Sequence, residues 1–407
     1  MNFVPTSRSK EADAKLAHYA SRLEDLDRKA KALESKTDPT SKSEVGKLRA
    51  EWSKLRRASL PADLPGSYAV GEGKPTDVPL QKRGDPGSPG EVVPRGVPRF
   101  PFLAAAASRC VPSGSSGRLE LADWLAHADH PLTARVMANR IWQHHFGRGI
   151  SPTPSNFGVR GEPPTHPELL DWLAAKFVSS GWSIKSLHRE ILSSQTYRLS
   201  SESDSSSAAK DPDDQWLWRF PLRRLDAESI RDAMLHVSGR LDRRRPAPHP
   251  FPPIEDWHWT QHNPFKAVYP SQHRTVYLMT QRLVKHPFLA IFDGPDTNAS
   301  TDLRSRSTVP LQALFLRNNP FVQEQAAAFA DRLIGSETDT RSRIQDAYQL
   351  AWGRPPGPDE IDRWLRYLSD SRKALATARA SQADTERAIW SSLAKVMLSS
   401  NEFLYVD

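Results

Sequence analysis

The chain has one cysteine, Cys110, in 407 residues. One cysteine cannot make an intramolecular disulfide or an all-cysteine zinc or iron–sulfur site, and no Cys-x-x-Cys-His is present to attach a c-type haem. Long apolar runs are missing as well. The best apolar stretch, residues 102–107, is far too short to cross a bilayer, so no membrane span is expected. The N-terminus has no apolar signal core. Also absent are a phosphate-binding P-loop, a dinucleotide-binding glycine fingerprint, a Gly-x-Ser-x-Gly elbow and a His-Glu-x-x-His zinc motif. Those absences remove the enzyme classes that short motifs reveal.

What is present is a polar, basic chain. Hydrophobic residues make up 38% and mean hydropathy is -0.60, while the charged fraction of 26% is ordinary. Polar linkers beside normally folded parts account for that combination. The net charge is +8 and the pI about 9.5. Arginines are spread along the sequence instead of clustering. They read as a solvated surface with structural ion pairs, and nucleic acid is not the expected partner.

Residues 1–60 carry the clearest pattern. Leu16, Tyr19, Leu23, Leu26, Ala30 and Leu33 recur every three or four residues, which is one helical stripe. Asp38-Pro39 interrupts it, and Val45, Leu48, Trp52 and Leu55 resume it. Two amphipathic helices joined by a short turn form an antiparallel, coiled-coil-like hairpin. Residues 61–117 are rich in Pro and Gly and predict a linker with short strands. Arg83-Gly84-Asp85 sits there in an obvious turn.

Residues 118–407 predict a helical domain with a Pro-rich insertion near 243–270. Helices are expected over 118–126, with Leu119, Leu121, Trp124 and Leu125 inward, and over 132–146, ending at Gly147. Thr165 and Glu168 have capping-box spacing. Ser183 should cap a helix with Ile184, Leu187 and Ile191 inward. Residues 201–214 predict a loop, 225–237 a helix, and the segment around Val276 a strand. Helices dominate from Val309 onward. The expected fold is therefore mainly α: a multi-helix body with an N-terminal helical hairpin and a minor β/loop element.

Several strings resemble a known family. They include RGDPGSPGEVVPRG, SGRLELADWLAHADHPLTARVMANRIWQHHFGRGI, PSNFGVRGEPPTHPELLDWLA, GWSIKSLHREILSSQTYRLSS, RRLDAESIRDAML, TVPLQALFLRNNPFV and SSNEFLYVD. Together they resemble the PSD-type domain of unknown function, the C-terminal module of planctomycete cytochrome-c-type proteins, over residues 60–407. The resemblance implies an exported or periplasmic multidomain setting, with haem c carried in a separate module and no cofactor in this chain. It implies a protein partner or upstream domains, but no catalytic residues that could be carried over.

Four constellations are candidates for chemistry. Arg135, Asn139 and Gln143 share one face of the 132–146 helix, with Arg140 and His144 in a second row; such guanidinium groups can fork onto an anion. Arg160, Glu162, Thr165 and His166 precede a helix, where an anion could bind and Glu162 and His166, with His144, could act as acid and base. Asp293, Asp296 and Asn298 have oxygen-ligand spacing but no full calcium loop. Trp257 and Trp259, beside Asp256, His258 and His262, could stack on sugar rings. Two classes of function compete. The first is a binding or scaffold module, with polysaccharide a possible ligand; the second is a hydrolase or lyase acting on anionic polysaccharide. DNA binding through Lys185, His188 and Arg189 in a helix-turn-helix ranks below both.

Overall fold

The computed structural model describes residues 2–5, 10–34, 39–57, 66–69, 75–97, 111–112, 114–250, 252, 256–260, 262–336, 339–376 and 381–406. Cys110 and residues 102–107 lie outside them. The chain divides into two compact units, Met1–His130 and Pro131–Asp407.

In the first unit, strand β1 (Asn2–Pro5) pairs antiparallel with β2 (Gly66–Ala69). Between them α1 (Lys10–Glu34) and α2 (Pro39–Arg57) pack as the expected hairpin. Leu26 and Ala30 are its buried centre. Its rim is tied by Arg49, which donates to Asp27 (2.6 Å) and Glu34 (2.8 Å), and by the Tyr19 hydroxyl on the Leu55 carbonyl (2.6 Å). Strands β3 (Val78–Gln81) and β4 (Pro89–Val93) form a second ribbon. Residues 82–84 make its turn, with Arg83 at φ 58. Helix α3 (Arg118–Leu125) buries only Trp124. Leu119, expected to face inward, is 71% exposed, and Leu121 and Leu125 are exposed too. Two turns of helix are too short to bury a second stripe.

The second unit opens with three helices around one core. These are α4 (Thr133–Phe146), α5 (Pro167–Ser179) and α6 (Ile184–Ser193). Ala138, Trp142, Phe146, Leu173, Phe177, Leu187 and Ile191 meet there. Gly147 closes α4 at φ 78, the left-handed region that favours glycine. Ser183 caps α6 by accepting from the Ser186 N–H at 3.2 Å, but Ile184 points outward. The Thr165–Glu168 capping box does not form. Thr165 donates its hydroxyl to the Ile150 carbonyl (3.2 Å), and α5 begins two residues later at Pro167, whose missing N–H needs no cap.

Asn139 shows how a polar helix residue can be structural. It is fully buried on α4, donates Nδ2 to the Ser151 carbonyl (3.0 Å), and accepts the Ser151 N–H on Oδ1 (2.8 Å). Gly149 allows this approach, since a Cβ there would lie 2.6 Å from Asn139 Nδ2. Asn139→Ala strands both Ser151 groups and is expected to lower stability by about 2 kcal/mol. Urea denaturation checks this, with Asn139→Asp, which buries a carboxylate and sets an oxygen against the Ser151 carbonyl, expected to cost at least as much.

Short α7 (Ser205–Lys210) replaces the loop expected over 201–214 because Asp204 caps it, accepting the Ser207 N–H at 2.8 Å. Strand β5 (Arg223–Arg224) leads into α8 (Ala227–Val237). The segment around Val276 is a single helical turn, Thr275–Tyr277, instead of a strand. Asp232 holds it by accepting the Thr275 N–H (2.8 Å) and hydroxyl (2.6 Å), which occupies the amide a sheet would need. Then follow α9 (Pro287–Ile291), α10 (Pro310–Asn318), α11 (Pro320–Gly335), α12 (Thr340–Trp352), α13 (Pro358–Leu375), α14 (Gln382–Leu398), α15 (Asn401–Leu404) and β6 (Tyr405–Val406), which pairs antiparallel with β5. Helices α11 and α14 make the most extensive contact, burying Phe329, Leu333, Trp390 and Leu393. As expected, the protein is mainly α. No helix among the described residues is long and apolar enough to cross a membrane.

Arg354 locks three elements of this core. Its guanidinium donates to Glu360 (2.8 Å) at the start of α13 and to Glu402 (2.5 Å) on α15. The Arg354 hydrogen bonds, helped by the Gly357 N–H and opposed by burial, hold the Glu360 carboxyl at about 2 against an ordinary 4.5. That stabilisation is complete above the ordinary value and is lost as the pH falls toward 2. Glu360→Gln should flatten this acid-side slope and lower stability at neutral pH by about 1 kcal/mol, allowing for solvent access. Denaturant titrations across the acid range test it.

Candidate functional site

The residues singled out from the sequence for anion binding and acid–base chemistry do not converge in one cleft. Arg135 pairs with Asp171 of α5 at 2.5 Å, Asn139 is occupied by Ser151, and Gln143 donates to the Asp302 carbonyl at 2.9 Å. Arg140, His144, Arg160 and Glu162 are exposed. Thr165 and His166 do share a cavity, of about 80 Å³, with Arg148, Asp213 and Asp214. His166 Nδ1 lies 3.0 Å from the Thr165 hydroxyl, and its ring stands edge-on to Trp216. Burial raises the Asp214 carboxyl above its usual range. A space of that size holds a few waters, not a sugar.

Asp293 accepts from Arg224 (2.6 Å) and from the Ser307 N–H and hydroxyl (both 2.8 Å). Asp296 accepts the Asn298 N–H at 3.0 Å, and Asn298 donates to the Arg282 carbonyl at 2.7 Å. Among the described residues no three His, Cys, Asp or Glu side chains gather as metal ligands. In the α5–α6 pair, Lys185 and Arg189 are exposed, while His188 lies 2.7 Å from His145.

Polar and aromatic groups do gather in the Pro-rich insertion and the helices beside it. Trp257 is 56% exposed and donates its indole N–H to the Pro252 carbonyl at 3.0 Å. Its ring centroid is 6.4 Å from that of Trp259, which meets Phe265 edge-on at 4.6 Å. Phe265 is 6.5 Å from Tyr269, which stacks on His249 and donates to the Pro250 carbonyl at 3.0 Å. The Pro252 and Pro250 carbonyls thus tie down the two ends of an aromatic shelf.

The shelf ends at a cavity of about 470 Å³, lined by Tyr269, Arg231, His286, Phe321 and Glu324. Arg231, buried on α8, donates to the carbonyls of Ser271 and His273 and to the Thr275 hydroxyl (3.0 Å), so it clamps the chain returning from the insertion. Desolvation pulls its guanidinium below its usual value. His286 precedes Pro287 of α9. Burial, and then the Arg231 charge, lowers its pKa, so the imidazole is neutral at pH 7. Its Nδ1 is buried without a hydrogen-bond partner. His286 also lines a neighbouring cavity of about 410 Å³ with Thr275, Gln281 and Arg304.

Aromatic rings leading to a cavity whose buried arginine is already engaged by Ser271, His273 and Thr275 suit a hydroxyl-rich chain. The sequence marked Trp257 and Trp259. It gave no reason to join them to Phe265, Tyr269, Arg231 or His286. The available signals were an arginine on the apolar face of the 227–237 helix and a His-Pro step.

Residues 117–368 match the family model of PSD1, a protein of unknown function (DUF1553). The chain belongs to the PSD1 family. The PSD1 match contains the shelf, Arg231, His286 and Asp293, and it ends within α13, so α14 and α15 lie beyond it. No curated protein and no solved structure matches the chain.

Proposed function

We propose that this PSD1 protein is a binding module that holds a polysaccharide on the shelf from Trp257 to Tyr269, with one sugar unit entering the cavity of Arg231 and His286. The carrying observation is the unbroken series of ring contacts from an exposed tryptophan to a cavity wall. Arg231 already donates to Ser271, His273 and Thr275, so its hydrogen bonds are engaged within the protein, which favours a neutral ligand. The helical hairpin suits docking to a protein partner. The family resemblance supplies the setting we infer: an exported multidomain protein in which a separate module carries haem c. The hydrolase or lyase reading draws on Arg135, Arg140, His144, Arg160, Glu162 and His166, which occupy no common cleft, and it is not advanced.

The test is a binding screen of neutral and sulfated glycans, with calcium and with a chelator. Retention of neutral glycans that survives the chelator is expected. Flat responses throughout, or retention of sulfated glycans alone, would refute the proposal.

A further inference from the structure

A further cavity, of about 520 Å³, lies in the C-terminal core between α10, α14 and the β5–β6 pair. Its apolar wall includes Phe292, Val309 and Leu316, and its polar residues include Arg224, Arg317 and Lys395. No Asp or Glu lines it. Arg224 is 8% exposed and gives Nη2 to Asp293, so it brings direction without net charge. Two polar atoms of the lining residues, Arg224 Nε and Ser399 Oγ, are buried with no hydrogen-bond partner. Arg317 and Lys395 have no ion pair among the described residues.

Those features select a ligand. The volume falls in the range of small-molecule sites, about 300–1,000 Å³. The apolar wall favours a hydrocarbon body, and two unpaired cations with no opposing acid favour an anionic head. We propose that this cavity binds an amphipathic monocarboxylate, with its apolar body against Phe292, Val309 and Leu316 and its carboxylate between Arg317 and Lys395. The site is separate from the aromatic shelf and does not depend on the glycan reading.

Octanoate is the probe, titrated into the full chain by calorimetry, with octylamine as the opposite-charge control. Saturable binding of octanoate without binding of octylamine is expected. The double variant Arg317→Gln/Lys395→Gln, both at the mouth and outside the packed core, should keep its circular dichroism and melting profile and bind octanoate at least about tenfold more weakly. Ala313→Trp should fill the cavity and abolish binding. No saturable binding of octanoate, equal binding of the two probes, or unchanged affinity in the folded double variant would overturn the proposal.

Discussion

Asp293→Ala is expected to lower the unfolding free energy by about 3–5 kcal/mol, among the largest effects of any single substitution in the chain. Asp293 faces Arg224, whose side chain is 7% exposed. Among the described residues the aspartate is the only carboxylate bonded to that guanidinium; the other partners are the carbonyls of Ser307 and Phe292 and the Gln312 amide oxygen. Deleting it leaves a buried cation uncompensated and releases the Ser307 N–H and hydroxyl. Asp293 also sits at φ 59, where Asp and Asn are tolerated far better than Ala. Asp293→Asn keeps the backbone preference and part of the hydrogen bonding, so it should cost less and separate charge from conformation. Arg224→Met/Asp293→Asn, with no charge left to bury, should recover part of the loss. Urea denaturation of the four proteins measures each term. Burial alone would raise the Asp293 carboxyl, but the Ser307 N–H and Arg224 outweigh it and the net shift is downward. Its contribution is therefore present above the ordinary carboxylate range and is lost as the pH falls through the lowered value.

The other large effect is on binding. Trp257→Ala/Trp259→Ala should weaken polysaccharide binding about a hundredfold or more, since a tryptophan that anchors an interface typically contributes about 2 kcal/mol. The rings are close, so the single variants should not add to the double. Tyr269→Ala should also weaken binding, by removing the wall where shelf and cavity join. Melting profiles should change little for Trp257→Ala, because that side chain is largely in solvent. Arg140→Ala and Arg160→Ala should leave affinity for neutral glycans unchanged. Isothermal titration with the best ligand from the glycan screen supplies the affinities.

Local physics made much of the fold legible. The stripe from Leu16 to Leu33 and its partner from Val45 to Leu55 pointed to the hairpin, in which each apolar face covers the other. Gly147 and Ser183 marked the helix ends they form. The failures came where a distant partner decided the outcome. The Val276 segment has strand composition, yet Asp232 and Arg231, more than forty residues earlier, fold it into a turn. Thr165 has capping-box spacing, yet Ile150 takes its hydroxyl. The same limit governs the candidate sites. Asn139 and Asp293 carry chemistry-bearing groups at suggestive spacings, and tertiary contacts with Ser151, Arg224 and Ser307 engage them structurally. The tryptophans were visible because Trp257 and Trp259 cluster with Asp256, His258 and His262, whereas His286 and Tyr269 acquire meaning only through the cavity they line.

Hydrogen exchange on the intact chain, with and without a saturating neutral oligosaccharide, addresses the aromatic shelf most directly. New protection confined to residues 256–275 and the start of α9 around His286 is the expected result. Protection that instead falls on α4 and the turn before α5, or no change on the Pro-rich insertion at saturation, would contradict it.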